Sequence, residues 1–176
     1  MSGTNDATSP PGPFDDVFGA NAEYVSGFSL AGLKPLASRG LALVTCMDSR
    51  IEPLDMLGLK PGDAKILRNA GARVTDDTLR TLVLAVYLLG VERVLVLPHT
   101  NCKMASVDDD DTVHDLIMTR HGVDTRSLEF HTNSDQLGAL HHDLERVRHH
   151  PLLPKDLPVA GAIYDVDSGK VTPVDL

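Results

Sequence analysis

The sequence is poor in cysteine and in basic residues, and each shortage excludes a class of protein. Two cysteines, Cys46 and Cys102, cannot form the dense disulfide framework that small secreted domains use. A single disulfide between them is possible, but a reducing cytoplasm would disfavour it. Sixteen Lys and Arg against 25 Asp and Glu give a net charge of −9. Because nucleic-acid binders need clustered basic side chains, we expect no nucleic-acid partner.

Long apolar runs are also missing. The longest, residues 82–89, is far shorter than the roughly 18 apolar residues that a membrane-spanning helix needs, so we expect no membrane partner. The first 13 residues are rich in Ser, Gly, Thr and Pro and do not resemble a secretory signal, which predicts a cytoplasmic protein. The sequence therefore predicts a flexible leader over residues 1–20 and a single folded domain over residues 21–176.

Strands and helices alternate from Gly40 onward. Residues 41–45, 65–67 and 91–97 are short apolar runs typical of buried parallel strands. A short helix over residues 51–57 and a longer one starting at Asp76 and ending before Gly90 lie between them. The second of these helices is apolar on nearly all sides, which indicates burial on more than one side and a subunit interface.

The last third of the chain predicts two helices and a hairpin. Helices are expected up to about Arg120 and over residues 135–148. Residues 159–166 and 171–174 flank a turn at residues 167–170 and predict an antiparallel pair. The expected fold is thus α/β, with a mainly parallel central sheet, flanking helices and an antiparallel edge strand.

Metal-binding side chains follow two of the predicted parallel strands. Cys46 ends the first strand, and His99 and Cys102 follow the third. Ligands of open parallel sheets bind at the carboxyl ends of the strands, so we expect these three side chains to converge. Two thiolates and one imidazole suit Zn2+ and leave one coordination position open, as a catalytic zinc requires.

A zinc ion in such a site lowers the pKa of water from about 15.7 towards about 7 and so supplies a nucleophile at neutral pH. Two thiolates weaken this effect by cancelling the charge of the ion. Asp48 and Arg50 are candidate catalytic residues that could compensate. Asp48 could orient the nucleophile or occupy the fourth position itself, and a bidentate pair with Arg50 would hold it away from the metal.

Three motifs in this order resemble the β-class carbonic anhydrases, in particular their short bacterial branch. They are Cys-x-Asp-x-Arg at residues 46–50, Arg-Asn-Ala-Gly at 68–71 and His-x-x-Cys at 99–102. The similarity extends from about Tyr24 to Val166, and includes Tyr-x-Ser-Gly-Phe at 24–28 and Val-Thr-Asp-Asp at 74–77.

The resemblance implies a zinc enzyme that hydrates carbon dioxide to bicarbonate and a proton. Cys46, His99 and Cys102 match the metal ligands of the family, and Asp48 and Arg50 match its catalytic dyad. The resemblance also implies a homodimer or a dimer of dimers, with an N-terminal segment packed on the partner and active sites near the interface. We expect Tyr24 or Phe28 of a partner to line the pocket for CO2.

One position departs from the family pattern and keeps other substrates open. Lys103 follows the second cysteine where family members usually have glycine. A lysine here could narrow the pocket, add positive charge near a product anion or point to solvent. The same branch resembles hydrolases of carbonyl sulfide and carbon disulfide, which are the alternative function. A zinc or redox module without catalysis is the second alternative.

The remaining acidic and histidine clusters have simpler interpretations. Four carboxylates at residues 108–111 are more typical of a solvated helix start than of a cation site. The adjacent histidines at 141–142 and 149–150 would diverge on a helix, so solvent exposure is the favoured interpretation. His114, His121 and His131 are candidates for moving the product proton to buffer.

Overall fold

The computed structural model describes residues 12–175, and its contacts divide the chain into two compact units. The first unit extends to Leu33, and its described part contains helix α1, Asp15–Ser26. The second unit begins at Lys34 and contains all the strands of the described residues. The predicted flexible leader over residues 1–20 lies partly outside the described residues. Within them, the chain is helical from Asp15.

The second unit is built on one five-stranded sheet. The strands are Leu41–Cys46 (β1), Ala64–Asn69 (β2), Arg93–Leu97 (β3), Val159–Tyr164 (β4) and Val171–Val174 (β5). Their spatial order is β2-β1-β3-β4-β5; the first four are parallel where they pair, and β5 is antiparallel to β4. The predicted α/β fold with an antiparallel edge strand is therefore confirmed.

Four helices accompany these strands: α2 Pro53–Met56, α3 Asp76–Leu89, α4 Asp110–His121 and α5 Gln136–Arg148. The side chains of Thr75, Asp109 and Asp135 accept hydrogen bonds from backbone N–H groups at the starts of α3, α4 and α5. Gly90 and Gly122 end α3 and α4 in the left-handed conformation that glycine adopts without strain.

Apolar side chains on both faces of the sheet form the core. On one face, Ala42 and Val44 of β1 pack in a cluster with Leu82 of α3 and Leu144 of α5. On the other face, Leu43 lies in a cluster that also contains Cys46 and Cys102. β1 pairs with β2 and β3 and is buried on both faces, because one of these clusters covers each face.

Several predicted boundaries differ from the structure. α2 covers only Pro53–Met56. β3 begins at Arg93, because the two preceding N–H groups, of residues 91 and 92, donate to the backbone carbonyls of Ala85 and Gly40. The reversal before β5 spans residues 165–170, because the Asp165 carboxylate accepts the backbone N–H groups of Asp167 and Ser168. Sequence reasoning missed α1, although its start carries the acidic pair Asp15 and Asp16. None of the helices within residues 12–175 is long and apolar enough to cross a bilayer.

Candidate metal centre

The three predicted ligand side chains lie together at the carboxyl edge of the sheet. Cys46 is the last residue of β1, His99 follows its neighbour β3 by two residues, and Cys102 precedes a 3-10 turn at Lys103–Ala105. Their ligand atoms all lie within 4.8 Å of one another. All three residues are buried, with His99 fully inaccessible to solvent. No other such group of three occurs among residues 12–175.

His99 presents an unpartnered nitrogen atom in this buried cluster. Its Nδ1 lies 2.8 Å from the Thr100 carbonyl oxygen, which can only accept a hydrogen bond. Nδ1 therefore carries the proton, and the lone pair is on Nε2. Nε2 is buried and has no hydrogen-bond partner among the described residues. Such a group is costly to bury unless a ligand satisfies it, so this nitrogen fits a metal ligand.

Backbone N–H groups lie next to both thiols, but the pKa values of the two thiols shift in opposite directions. Hydrogen bonds from Cys102, and from the backbone of Gly71 and Asp48, outweigh burial and hold the pKa of Cys46 well below its ordinary value. The pKa of Cys102 is raised, first by its hydrogen bond to the Cys46 thiolate and then by burial. One thiol thus ionises readily, and the second needs a nearby cation. This donor set suits Zn2+.

Gly71 brings its backbone close to Cys46 in a conformation that a side chain would disturb. Its φ is +81°, and an added Cβ would lie 3.2 Å from Cβ of Met104. Asn69 fixes the same loop, because its side chain accepts from the Arg73 N–H and donates to the Arg73 carbonyl. These contacts fix residues 69–71 next to Cys46.

Asp48 and Arg50 form a bidentate ion pair beside the cluster. Nε and Nη2 of Arg50 donate to Oδ1 and Oδ2 of Asp48 at 2.9 and 2.7 Å. These bonds, with the backbone N–H of Arg50, hold the pKa of Asp48 well below its ordinary value. Oδ2 of Asp48 lies 3.8 Å from Nε2 of His99. An ionised carboxylate thus faces the candidate metal position and is paired with Arg50.

Comparisons with known proteins agree with this arrangement. The carbonic anhydrase family model matches residues 41–171. Beta-carbonic anhydrase 1 of Mycobacterium tuberculosis is 36% identical over 162 residues, which cover 91% of this chain and 96% of the relative. The chain belongs to the β-carbonic anhydrase family.

A solved structure and a second type of relative extend this result. The carbonic anhydrase of Streptococcus mutans superposes with a TM-score of 0.88 at 37% identity, covering 95% of this chain and all of the other. The carbon disulfide hydrolase of Acidithiobacillus thiooxidans is 31% identical over 156 residues, or 77% of each chain. This member of the β-carbonic anhydrase family is therefore similar to proteins named as carbonic anhydrases and also to a protein named as a carbon disulfide hydrolase.

Arg68 supports the backbone next to the ligand cluster. Its guanidinium donates hydrogen bonds to two backbone carbonyls. Nε bonds to the carbonyl of Cys46 at 3.0 Å and Nη2 to that of Asp48 at 2.6 Å. Arg68 therefore fixes the backbone that carries the first thiol and the dyad carboxylate. Its place in a motif next to the strand end was the only signal in the sequence.

The other candidate residues have varied surroundings. Lys103 is exposed, and its backbone carbonyl accepts hydrogen bonds from Ser106. His114 is buried against Phe130, with Nδ1 2.9 Å from Oγ1 of Thr125, so it is poorly placed to exchange protons with buffer. His131 is about one-third exposed and His121 is exposed. Both cysteines are free, so the possible disulfide is not formed.

Proposed function

We propose that Cys46, His99 and Cys102 hold one zinc ion and that the protein catalyses the reversible hydration of carbon dioxide to bicarbonate and a proton. The observation that carries the proposal is the unpartnered Nε2 of His99, which lies with two buried thiols beside the ionised Asp48. When bound, zinc supplies the Lewis acidity that makes water nucleophilic at neutral pH. Membership of the β-carbonic anhydrase family supports CO2 as the substrate.

Asp48 and Arg50 would orient a water molecule next to the ligand cluster. Asp48 is ionised and can accept a hydrogen bond from a water molecule next to the cluster through Oδ2. Arg50 engages both carboxylate oxygens, which limits the freedom of Asp48 to move onto the metal. Arg68 restrains the backbone on either side of Met47, so the thiolate and the carboxylate keep a fixed separation.

A stopped-flow CO2 hydration assay with zinc analysis on the same preparation tests the proposal. We expect about one zinc per chain and hydration that is lost on chelation and restored by zinc. Bound zinc without CO2 hydration would contradict the proposed reaction and would favour the non-catalytic module.

Hydrolysis of carbon disulfide or carbonyl sulfide is the second candidate. Relatives named carbon disulfide hydrolase, at 30–31% identity, support it. The same preparation should therefore be assayed with CO2 and both sulfur compounds in parallel. Rapid sulfide release with negligible CO2 hydration would replace our choice with this one.

We further propose that the chain assembles at least as a homodimer in the cytoplasm. Helix α1 exposes Val17, Phe18 and Val25, and α3 exposes Tyr87 and Leu88, each more than half accessible. Exposed apolar helix faces favour burial against another chain. The cytoplasmic location rests on the two free thiols, which a reducing compartment preserves. Sedimentation analysis tests the assembly, and a monomer at micromolar concentration would contradict it.

A further inference from the structure

Arg50 is held by a second group besides Asp48, and this group comes from the loop that carries two of the ligands. Nη2 of Arg50 donates to the backbone carbonyl of Asn101 at 3.1 Å as well as to Asp48. The Arg50 side chain is 46% exposed, so packing does little to fix it. Its few hydrogen bonds therefore decide where the guanidinium lies.

Asn101 presents that carbonyl from a strained backbone conformation. Its φ of +55° lies in the left-handed region, which asparagine tolerates better than most residues. The Asn101 side chain is tied down as well, because Nδ2 donates to Oδ2 of Asp167 at 3.1 Å. Both ends of the residue are thus engaged, one with Arg50 and the other with the β4–β5 turn.

The turn that carries Asp167 is itself fixed to the ligand loop. The Asp167 N–H donates to the Asp165 carboxylate at 2.9 Å, and the Val166 N–H donates to Oγ1 of Thr100 at 3.1 Å. The pKa of Arg50 is raised chiefly by its hydrogen bonds to Asp48, with a smaller contribution from the negative charge of Asp167. The β4–β5 turn therefore holds the negatively charged Asp167 in a fixed position next to Asn101, on the same side as the positively charged Arg50.

We propose that Asn101 is a positioning residue: its bond to Asp167 fixes the carbonyl that orients Arg50, and Arg50 keeps Asp48 away from the fourth metal position. This inference rests on the proposed function. Without the support, the guanidinium loosens and frees a carboxylate whose Oδ2 lies only 3.8 Å from Nε2 of His99. Molecules in which Asp48 occupies the metal would be inactive, so kcat/KM falls with the fraction of molecules in which that position is open.

Two variants remove the support in different ways. Asn101→Gly deletes the amide and keeps free access to the left-handed backbone conformation. Asp167→Ala deletes the acceptor at an exposed position, where misfolding is not expected. The support is one exposed hydrogen bond, so each variant should lower kcat/KM by about threefold to tenfold. Asp167→Asn keeps an acceptor oxygen and should restore most of the rate. Asp156→Ala is the control, because it removes an equally exposed carboxylate from a loop away from this turn.

Visible absorption of the cobalt(II)-substituted protein provides a measurement that does not depend on activity. We expect Asn101→Gly and Asp167→Ala each to shift this spectrum. The variant that combines both substitutions should show the same spectrum and rate as Asn101→Gly alone. The thermal unfolding temperature of each variant should stay near that of the wild type. An unchanged kcat/KM and spectrum in either folded variant would overturn the inference, as would equal losses in Asp167→Asn and Asp167→Ala. A wild type without CO2 hydration would remove the proposed function, and the spectral shift would still decide whether Asn101 positions the dyad.

Discussion

The ligand cluster and the segment between β3 and α5 are held by different means. Cys46, His99 and Cys102 owe their positions to two neighbouring parallel strands that end at the same edge of the sheet. The segment over residues 108–135, called here the connecting segment, contains α4 and long irregular stretches. Charged side chains that bind backbone groups define it, as Asp110 does with the N–H groups of residues 130–132.

Because of this difference, substitutions in the two regions should affect different properties of the protein. The strands form without the cluster, so changes to the ligands should affect metal binding and rate more than folding. The connecting segment depends on charged side chains that bind its backbone groups, so changes to these side chains should mainly alter the free energy of unfolding. Four substitutions test this separation.

Cys46→Ser should have the largest effect. Loss of one of three protein ligands should remove most of the zinc and lower CO2 hydration by more than about 100-fold, since even indirect partners of a metal contribute 10- to 100-fold. Metal analysis and stopped-flow rates measure both. His141→Ala is the control, because His141 is exposed on α5 outside the cluster. If Cys46→Ser kept its zinc, the proposed ligand set would be wrong, and if it unfolded the chain, the two regions would not differ as argued.

Asp143→Asn should have the largest effect on stability. Asp143 is 3% exposed and pairs with Arg73 at 2.7 Å, and Arg73 also donates to the carbonyl of His131 in the connecting segment. Breaking a buried pair leaves a charge without its partner, which costs about 3 kcal/mol. Urea unfolding measures this cost. Asp77→Asn breaks the exposed pair with Arg80 and should cost less than about 0.5 kcal/mol. Similar losses in both variants would refute the argument from burial.

The two regions also differ in how far the sequence reveals them. The ligand cluster was predictable, because apolar runs mark the ends of β1 and β3, and parallel strands bring those ends together. The pairing of Arg73 with Asp143 was not, because 70 residues separate them and no periodic pattern links them. The same holds for Asn101 and Asp167, 66 residues apart. Contacts set by tertiary packing leave no local signal in a single sequence.

The acidic run at residues 108–111 shows the same limit within one motif. Its role as a helix start was predicted, and Asp109 does cap α4. Nothing in the run indicates that the Asp110 carboxylate accepts a hydrogen bond from the backbone N–H of Phe130, 20 residues further along the chain. Residue type indicated a charged helix end, whereas the direction of each side chain depended on a loop whose position the sequence does not specify.

Asp48→Asn should lower turnover by about 10- to 100-fold and leave zinc bound. The amide loses one charge-assisted bond to Arg50 and cannot serve as an ionised acceptor beside the cluster. Stopped-flow rates and zinc content on the same sample measure the effect. Asp55→Asn, an exposed carboxylate on α2, is the matched control. Unchanged turnover with zinc bound would remove Asp48 from the proposed mechanism.

Asp110→Asn should have the smallest effect, and one that depends on pH. Burial opposes ionisation of Asp110, but hydrogen bonds from Thr132, Phe130 and His131 outweigh it and lower the pKa to about 2. A folded-state pKa below the unfolded value of about 3.9 means that the ionised form stabilises the fold above pH 4, and that this contribution is lost as the pH falls towards 2.

The expected loss for Asp110→Asn at pH 7 is about 2 kcal/mol, the value typical of hydrogen bonds to a charged group. Urea unfolding at several pH values should show the difference from wild type shrinking as the pH falls from 5 to 3. Asp111→Asn, on the adjacent exposed residue, should change stability by less than about 0.5 kcal/mol throughout. A difference that stayed constant with pH would mean that the shape of Asp110, and not its charge, holds the connecting segment. The contrast with the strand-built cluster would then be one of geometry alone.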